Sequence, residues 1–443
     1  MTALSRLKTL IFALVSISLM ISTATATPFK LEPLVSHQRV WSGNKQTTYL
    51  KVAITGTELK ADRPPVNVAL VIDRSGSMGG QRIQQAKQAA LMAIDMLKAD
   101  DIVSLIAYDS AAELLVPATK LGDGSILRKG IKALRANGST ALHAGTVMGG
   151  AEVAKFFDRN NVNRVILLSD GIANIGPSSP QDLAQLGAKL AGQGISVSTI
   201  GLGLGYNEDL MARLADSSDG NHSFVESPDQ LARLMSLELN DALAVVAQDV
   251  KVAVTFPDGV RPVRALGREA EFSGQEVTSV IKDIIVGAER FVLIEVELNK
   301  GVTTEALEFA QIKVSYRDRD GERGSATAVA RVNAANSAQD MEKSSQPRVM
   351  ESVVELIARQ QQEMAIKLKD EGKDAQALQL IKRSNQYIDN NAKRYKSRKL
   401  RKMHSRGRQD AKVIGKKGKS RDWKRTRKMM RQEAYSSEAQ MAF

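Results

Sequence analysis

Between Val66 and about Ala244 the chain repeats one pattern: a short, almost uninterrupted apolar run, a polar turn, then a longer segment with helical spacing. The runs are VNVALVID (66–73), DIVSLIAY (101–108), NRVILLSD (163–170) and ISVSTIGLG (195–203). A strand that is apolar on both faces must be covered on both, and the intervening helices supply that cover. The pattern therefore predicts a doubly wound α/β fold around a mainly parallel sheet. Helices are expected at 81–98, 125–135, 142–158, 180–193 and 207–215, with a short strand at 221–225 and a closing helix from Pro228 to about Leu243.

The flanking sequence has a different period. Residues 46–56 (QTTYLKVAITG) alternate with β-branched residues, and 249–256, 277–286, 289–298 and 309–318 alternate apolar and polar residues between Gly-rich or charged turns. That is the pattern of an antiparallel β-sandwich. The early strand needs partners, so the α/β unit is expected to be inserted in the sandwich rather than only followed by it. The expected division is a leader at 1–26, an N-terminal strand region at 27–65 joining the sandwich, the α/β domain at 66–245, the sandwich at 246–332 and a polar linker at 333–348. A helical hairpin broken near Gly372 follows at 349–395, and a basic, disordered tail at 396–443.

Arg6 and Lys8 precede an apolar stretch from Leu10 to Ile21, and Ala24-Thr25-Ala26 offers small residues for cleavage, so 1–26 reads as a signal peptide. A retained membrane anchor is the alternative, but the stretch is shorter than the ~20 residues that span a bilayer. An exported protein, periplasmic or extracellular, is expected. Cysteine is absent, which excludes disulfides, thiolate metal sites and a cysteine nucleophile. The net charge of +13 lies in the tail: from Lys396 onward there are 17 Lys and Arg against 4 Asp and Glu, and the rest is balanced. Such a segment suits a polyanion, whether anionic lipid, lipopolysaccharide, cell-wall polymer or nucleic acid, over Lys396 to Arg431, where Tyr395 and Trp423 supply two aromatic rings.

Ligands of open α/β sheets sit beyond the carboxyl ends of the strands. At the end of the first apolar run stands Asp73-Arg74-Ser75-Gly76-Ser77. Short oxygen side chains at alternate positions of a tight turn can converge on one hard cation. The alternative for Ser75 or Ser77 is to cap the helix that begins near Gln81. Two more oxygen residues fall in similar places: Thr140 in Gly138-Ser139-Thr140-Ala141-Leu142 ahead of a helix, and Asp170 at the end of VILLSD.

Five such residues on three loops resemble the metal-ion-dependent adhesion site of the von Willebrand factor type A family, and the resemblance covers about 66–245. It implies a divalent ion, Mg²⁺, Mn²⁺ or Ca²⁺, held by Asp73, Ser75, Ser77, Thr140 and Asp170. Ser75 and Ser77 are then direct ligands, Asp73 and Asp170 act largely through water, and Thr140 does either. A coordination position is left open for the carboxylate of a protein or other acidic ligand. The wider layout resembles bacterial exported proteins related in architecture to inter-alpha-trypsin inhibitor heavy chains.

The expected function is cation-dependent binding in the cell envelope, without catalysis. A structural module whose ion only stabilises the loops is one alternative, and a metal-assisted hydrolase another. Gly201, Gly203 and Gly205 do not form GxGxxG and read as a loop closing the sheet edge. His37, His143, His222 and His404 stand singly, with only His143 close enough to Thr140 to line the site.

Overall fold

The computed structural model describes residues 27–41, 45–57, 65–226, 230–299, 306–416, 418, 420–438 and 440; the leader assigned to 1–26 lies outside them. Three strands come first: β1 (Phe29–Val35), β2 (Arg39–Trp41) and β3 (Gln46–Gly56). The α/β domain follows, with β4 (Val66–Asp73), α1 (Gln81–Asp95), β5 (Ile102–Tyr108), β6 (Ala112–Lys120), α2 (Ser125–Ala133), α3 (Leu142–Lys155), β7 (Val162–Ser169), α4 (Pro180–Gly192), β8 (Ser196–Leu202), α5 (Glu208–Ser217), β9 (His222–Val225) and α6 (Leu231–Leu243). Its sheet has the order β6-β5-β4-β7-β8-β9 and is parallel except for the β5–β6 pair. Every residue of β4, β7 and β8 is buried, because one set of helices covers each face. Local signals start the helices: Pro180 occupies the first turn of α4, and Ser179 exchanges hydrogen bonds with Asp182 in a capping box.

The sandwich is built from β10 (Val245–Thr255), β11 (Val260–Leu266), β12 (Glu271–Ser273), β13 (Glu276–Ile285), β14 (Glu289–Leu298), β15 (Ala306–Asp318) and β16 (Arg323–Ala335). One sheet runs β1-β3-β14-β11 and the other β12-β13-β10-β15-β16-β2. β3 pairs antiparallel with β14 along its whole length, Gln46 opposite Leu298 and Thr55 opposite Glu289. The α/β domain is therefore inserted in the sandwich. Val52, Ile54, Val252, Val254, Val292, Ile294 and Phe309 meet in a single core between the two sheets.

Several expectations are corrected. β6 was not anticipated, because Pro117 interrupts its pattern; as the antiparallel edge strand of the sheet it tolerates a proline. The expected helix 142–158 ends at Lys155 and the expected helix 81–98 at Asp95. The polar stretch 333–348 continues β16 to Ala335 and then forms a short helix, α7 (Ala338–Lys343). α8 (Pro347–Asp370) and α9 (Asp374–Arg394) form the hairpin, with Gly372 at a φ of +78° in the turn between them.

The largest correction concerns the tail. Instead of disorder it forms α10 (Arg398–Ile414) and α11 (Arg421–Glu438). Sparse apolar residues suffice, because Ile414, Trp423 and Met430 enter one core with Ile366 and Ile381, while Leu400 packs with Ile388 and Ala392 in another. Trp423 is buried inside this bundle.

Charge carries α11 onto the α/β domain. Arg427 bonds Asp209 and Asp370, each at 2.8 Å, and also pairs with Glu208. Lys428 is buried, donates to Tyr206 O at 2.7 Å, lies 3.8 Å from the centre of the Tyr206 ring and pairs with Glu208. Arg427→Ala removes a cation shared by three carboxylates. It should cost about 1–3 kcal/mol, less than the roughly 3–5 of a fully buried pair because solvent screens Asp209. Urea unfolding checks this, and limited proteolysis should cut α11 faster than the α/β domain.

Candidate metal centre

The site begins with strand order. β4 and β7 are parallel neighbours with Ile72 beside Leu168, so Asp73 and Asp170 emerge together at the carboxyl edge of the sheet. Asp73 is completely buried. Its Oδ1 accepts from the Ser75 backbone N–H at 2.8 Å, which curls the Asp73–Ser77 turn, and its Oδ2 accepts from Ser169 Oγ at 2.7 Å. One carboxylate thus shapes the turn and ties the ends of two strands.

Ser75 and Ser77 hydroxyls lie 3.0 Å apart, and Ser77 Oγ donates to Asp170 Oδ1 at 2.6 Å. Neither serine uses its side chain to cap α1. The loop carrying Thr140 is held to this turn by backbone bonds, Gly76 N to Gly138 O at 3.0 Å and Asn137 N to Arg74 O at 2.7 Å. Thr140 N donates to Asn174 Oδ1 at 2.9 Å, and Asn174 N returns a bond to Thr140 O at 3.2 Å. Gly171 fits between the hydroxyls: a Cβ there would stand 3.0 Å from Thr140 Oγ1 and 3.4 Å from Ser77 Oγ. The structure therefore brings all five sequence-derived residues into one place.

Burial pushes the Asp73 carboxyl up to about 6; hydrogen bonds from Ser75 and Ser169 oppose the shift, and the neighbouring Asp170 adds to it. Among the described residues no cationic side chain pairs with Asp73. Two adjoining carboxylates, three hydroxyls and no soft ligand suit a hard divalent cation. The residues present fit the group that the resemblance implies.

Sequence reasoning missed Arg82. From the first turn of α1 its Nη1 reaches Asp170 Oδ2 at 2.5 Å and Ser77 O at 3.0 Å. A cation at a helix N-terminus opposes the helix dipole, and that misplacement was the available signal for a nearby carboxylate. The reading of 201–205 as an edge closure also needs correction, because β9 lies outside β8 and the loop packs against the site instead. A Cβ on Gly203 would stand 3.5 Å from Arg82 Nη2, and one on Gly205 would stand 3.2 Å from Asp170 O. Gly201 is required because the Tyr206 ring covers it, leaving 2.1 Å for an added Cβ.

His143 is half-buried; burial lowers its pKa while the charge of Asp182 raises it, and no hydrogen bond among the described residues joins it to the five. His222 is buried beneath Tyr206 with Nδ1 2.8 Å from Thr199 Oγ1, and burial pushes it down to about 4, so it is neutral at pH 7.

Residues 67–237 match the family profile of the von Willebrand factor type A domain. An uncharacterized protein of Escherichia coli (strain K12), YfbK, is 30% identical over 230 residues, covering 51% of this chain and 40% of that protein. Inter-alpha-trypsin inhibitor heavy chain H3 of Pongo abelii is 29% identical over 165 residues, 35% of this chain and 19% of the heavy chain. This chain thus spans well under half of either relative. A solved von Willebrand factor type A protein from Catenulispora acidiphila superposes with a TM-score of 0.69 at 15% identity over 94% of this chain and 97% of that one. At that identity the likeness concerns fold, and it extends through the sandwich and the terminal helices.

If these residues hold a divalent ion, saturating Mg²⁺ or Mn²⁺ should stabilise the native chain by about 2.7 kcal/mol at a hundredfold excess over Kd. Melting with and without EDTA reads this directly. The gain should vanish in Asp73→Ala and in the milder Ser75→Ala; an unchanged gain in both would contradict the assignment.

Proposed function

We propose that the von Willebrand factor type A domain, which this chain carries at residues 67–237, is a divalent-cation-dependent binding module that accepts a carboxylate from a protein or other acidic ligand. One observation carries the reading: Asp73, Ser75 and Asp170 are buried at the back of a site whose front residue, Ser77, is exposed. The hydroxyls of Ser75, Ser77 and Thr140 with Asp73 and Asp170 would hold Mg²⁺, Mn²⁺ or Ca²⁺. The ion would supply an electrophilic position, and neutral hydroxyls leave more of its charge for an incoming anion than carboxylate ligands would.

A purely stabilising ion is less well supported, because the three loops are already joined by their own bonds. Arg74 Nε holds Asp109 at 2.8 Å, in addition to the backbone links between 74–76 and 137–138 and between Thr140 and Asn174. Hydrolysis is also less well supported. Activating water needs a general base, and among the described residues no His, Lys or Glu side chain is hydrogen-bonded to any of the five. The reading is therefore binding without catalysis.

The leader-like residues 1–26 favour export, with the partner in the periplasm or outside the cell. The basic terminal segment supports a second contact, with a polyanion.

Pull-down from envelope extract in Mg²⁺ should recover a partner that is lost with EDTA and with Asp73→Ala, while the circular dichroism of the chain is unchanged. Capture that ignores both changes would contradict carboxylate binding at the ion.

A further inference from the structure

The basic terminal segment divides into two helices whose charges are used differently. On α11, Arg425 pairs with Glu226, Arg427 with Glu208, Asp209 and Asp370, Lys428 with Glu208, and Arg431 with Asp209 and Glu363. Those cations are internal fasteners. On α10, Lys399 is paired with Glu355 and Arg406 with Asp410 and Glu433. Arg398, Arg401, Lys402, Arg408 and Lys412 are all exposed and form no ion pair among the described residues.

Their placement follows from helix geometry. At about 100° per residue these five fall within an arc of about 120°, opposite Leu400 and Ile414, and they extend over about 21 Å of helix. Asp410 is the only acidic residue of α10, and it is buried on the inner side. The outer face therefore combines five cations with neutral Ser405 and Gln409 and carries no compensating carboxylate. α9 packs antiparallel alongside, with Asn385 against Gly407, which brings exposed Lys382 and Arg383 to the Arg408–Lys412 end. Asp389 of α9 also lies beside α10, where it is met by Lys393 at 2.6 Å and by His404 at 3.4 Å.

We propose that this face of α10 docks on the headgroups of an anionic phospholipid bilayer. The exposed residues of the face include no apolar side chain to enter hydrocarbon, so the contact is electrostatic and shallow. Nucleic acid fits less well: Trp423, one of the two rings available in sequence for base stacking, is buried in the helical core. The α10 stripe itself, about 21 Å long and about 120° wide, can meet several phosphates of a plane at once. This sharpens the polyanion reading and is independent of the metal site, so its test is run in EDTA.

The full chain is mixed with vesicles of phosphatidylcholine alone or doped with phosphatidylglycerol and sedimented at rising ionic strength. The expected result is binding to anionic vesicles only, weakening as salt rises. Arg401→Glu with Lys402→Glu should lower partitioning roughly tenfold or more. The matched control, Lys129→Glu with Lys189→Glu on the α/β domain, should stay near wild type. All four side chains are exposed, so both variants should keep the wild-type melting midpoint in EDTA. Equal loss in the two double variants, equal binding to neutral vesicles, or tighter binding to duplex DNA at the same phosphate concentration would overturn the proposal. Failure to bind vesicles and DNA alike would overturn the polyanion reading with it, while partner capture through the ion would be unaffected.

Discussion

The buried carboxylate of Asp73 is the constraint on which the site depends. A parallel sheet that places β4 beside β7 delivers two aspartates to neighbouring strand ends, one of them wholly removed from solvent. Such an arrangement is unfavourable unless the charge is met by hydrogen bonds and a cation. The Ser75 N–H and the Ser169 hydroxyl meet part of it, and in doing so they fix the turn that presents Ser75 and Ser77. Arg82 answers Asp170 from the rim. What remains is an electronegative back wall lined with hydroxyls, suited to a small hard ion on the side where Ser77 is exposed.

The rest of the chain bears on that wall through one loop. The backbone of 203–205 runs so close to Arg82 and the Asp170 carbonyl that an added Cβ would meet them, and Lys428 of α11 grips Tyr206 at the end of the same loop. The terminal helices are in turn seated on the sandwich through α8, where Val349, Val353 and Leu356 join Leu266 and Leu293. A continuous path of packed side chains and ion pairs therefore runs from the inserted domain to the chain end. The basic segment is as much a part of the fold as of any external contact.

Much of this was legible in the sequence for a physical reason. Apolar runs such as 66–73 and 163–170 have one stable use, a strand covered on both faces, and the polar residues at their ends then have a fixed address. The strand at 46–56 could be assigned to the later sheet because an alternating strand needs a partner of the same kind. Other features depend on neighbours distant in sequence. Pro117 masks β6 until the strand is seen at an edge, and α10 and α11 look like solvated charge until Glu208, Asp209 and Asp370 are placed beside them. Arg82 was overlooked because its partner, Asp170, lies on another loop.

On the proposed function, the five-residue site holds a cation whose remaining coordination position accepts a carboxylate. Water-proton relaxation of the Mn²⁺-loaded chain measures exchangeable water on the ion directly. Titration with an aspartate-containing peptide should lower the relaxation enhancement to a saturating plateau, and the matched asparagine peptide should leave it unchanged. An enhancement that stays flat with both peptides, on a chain that demonstrably binds Mn²⁺ through Asp73, would contradict the account.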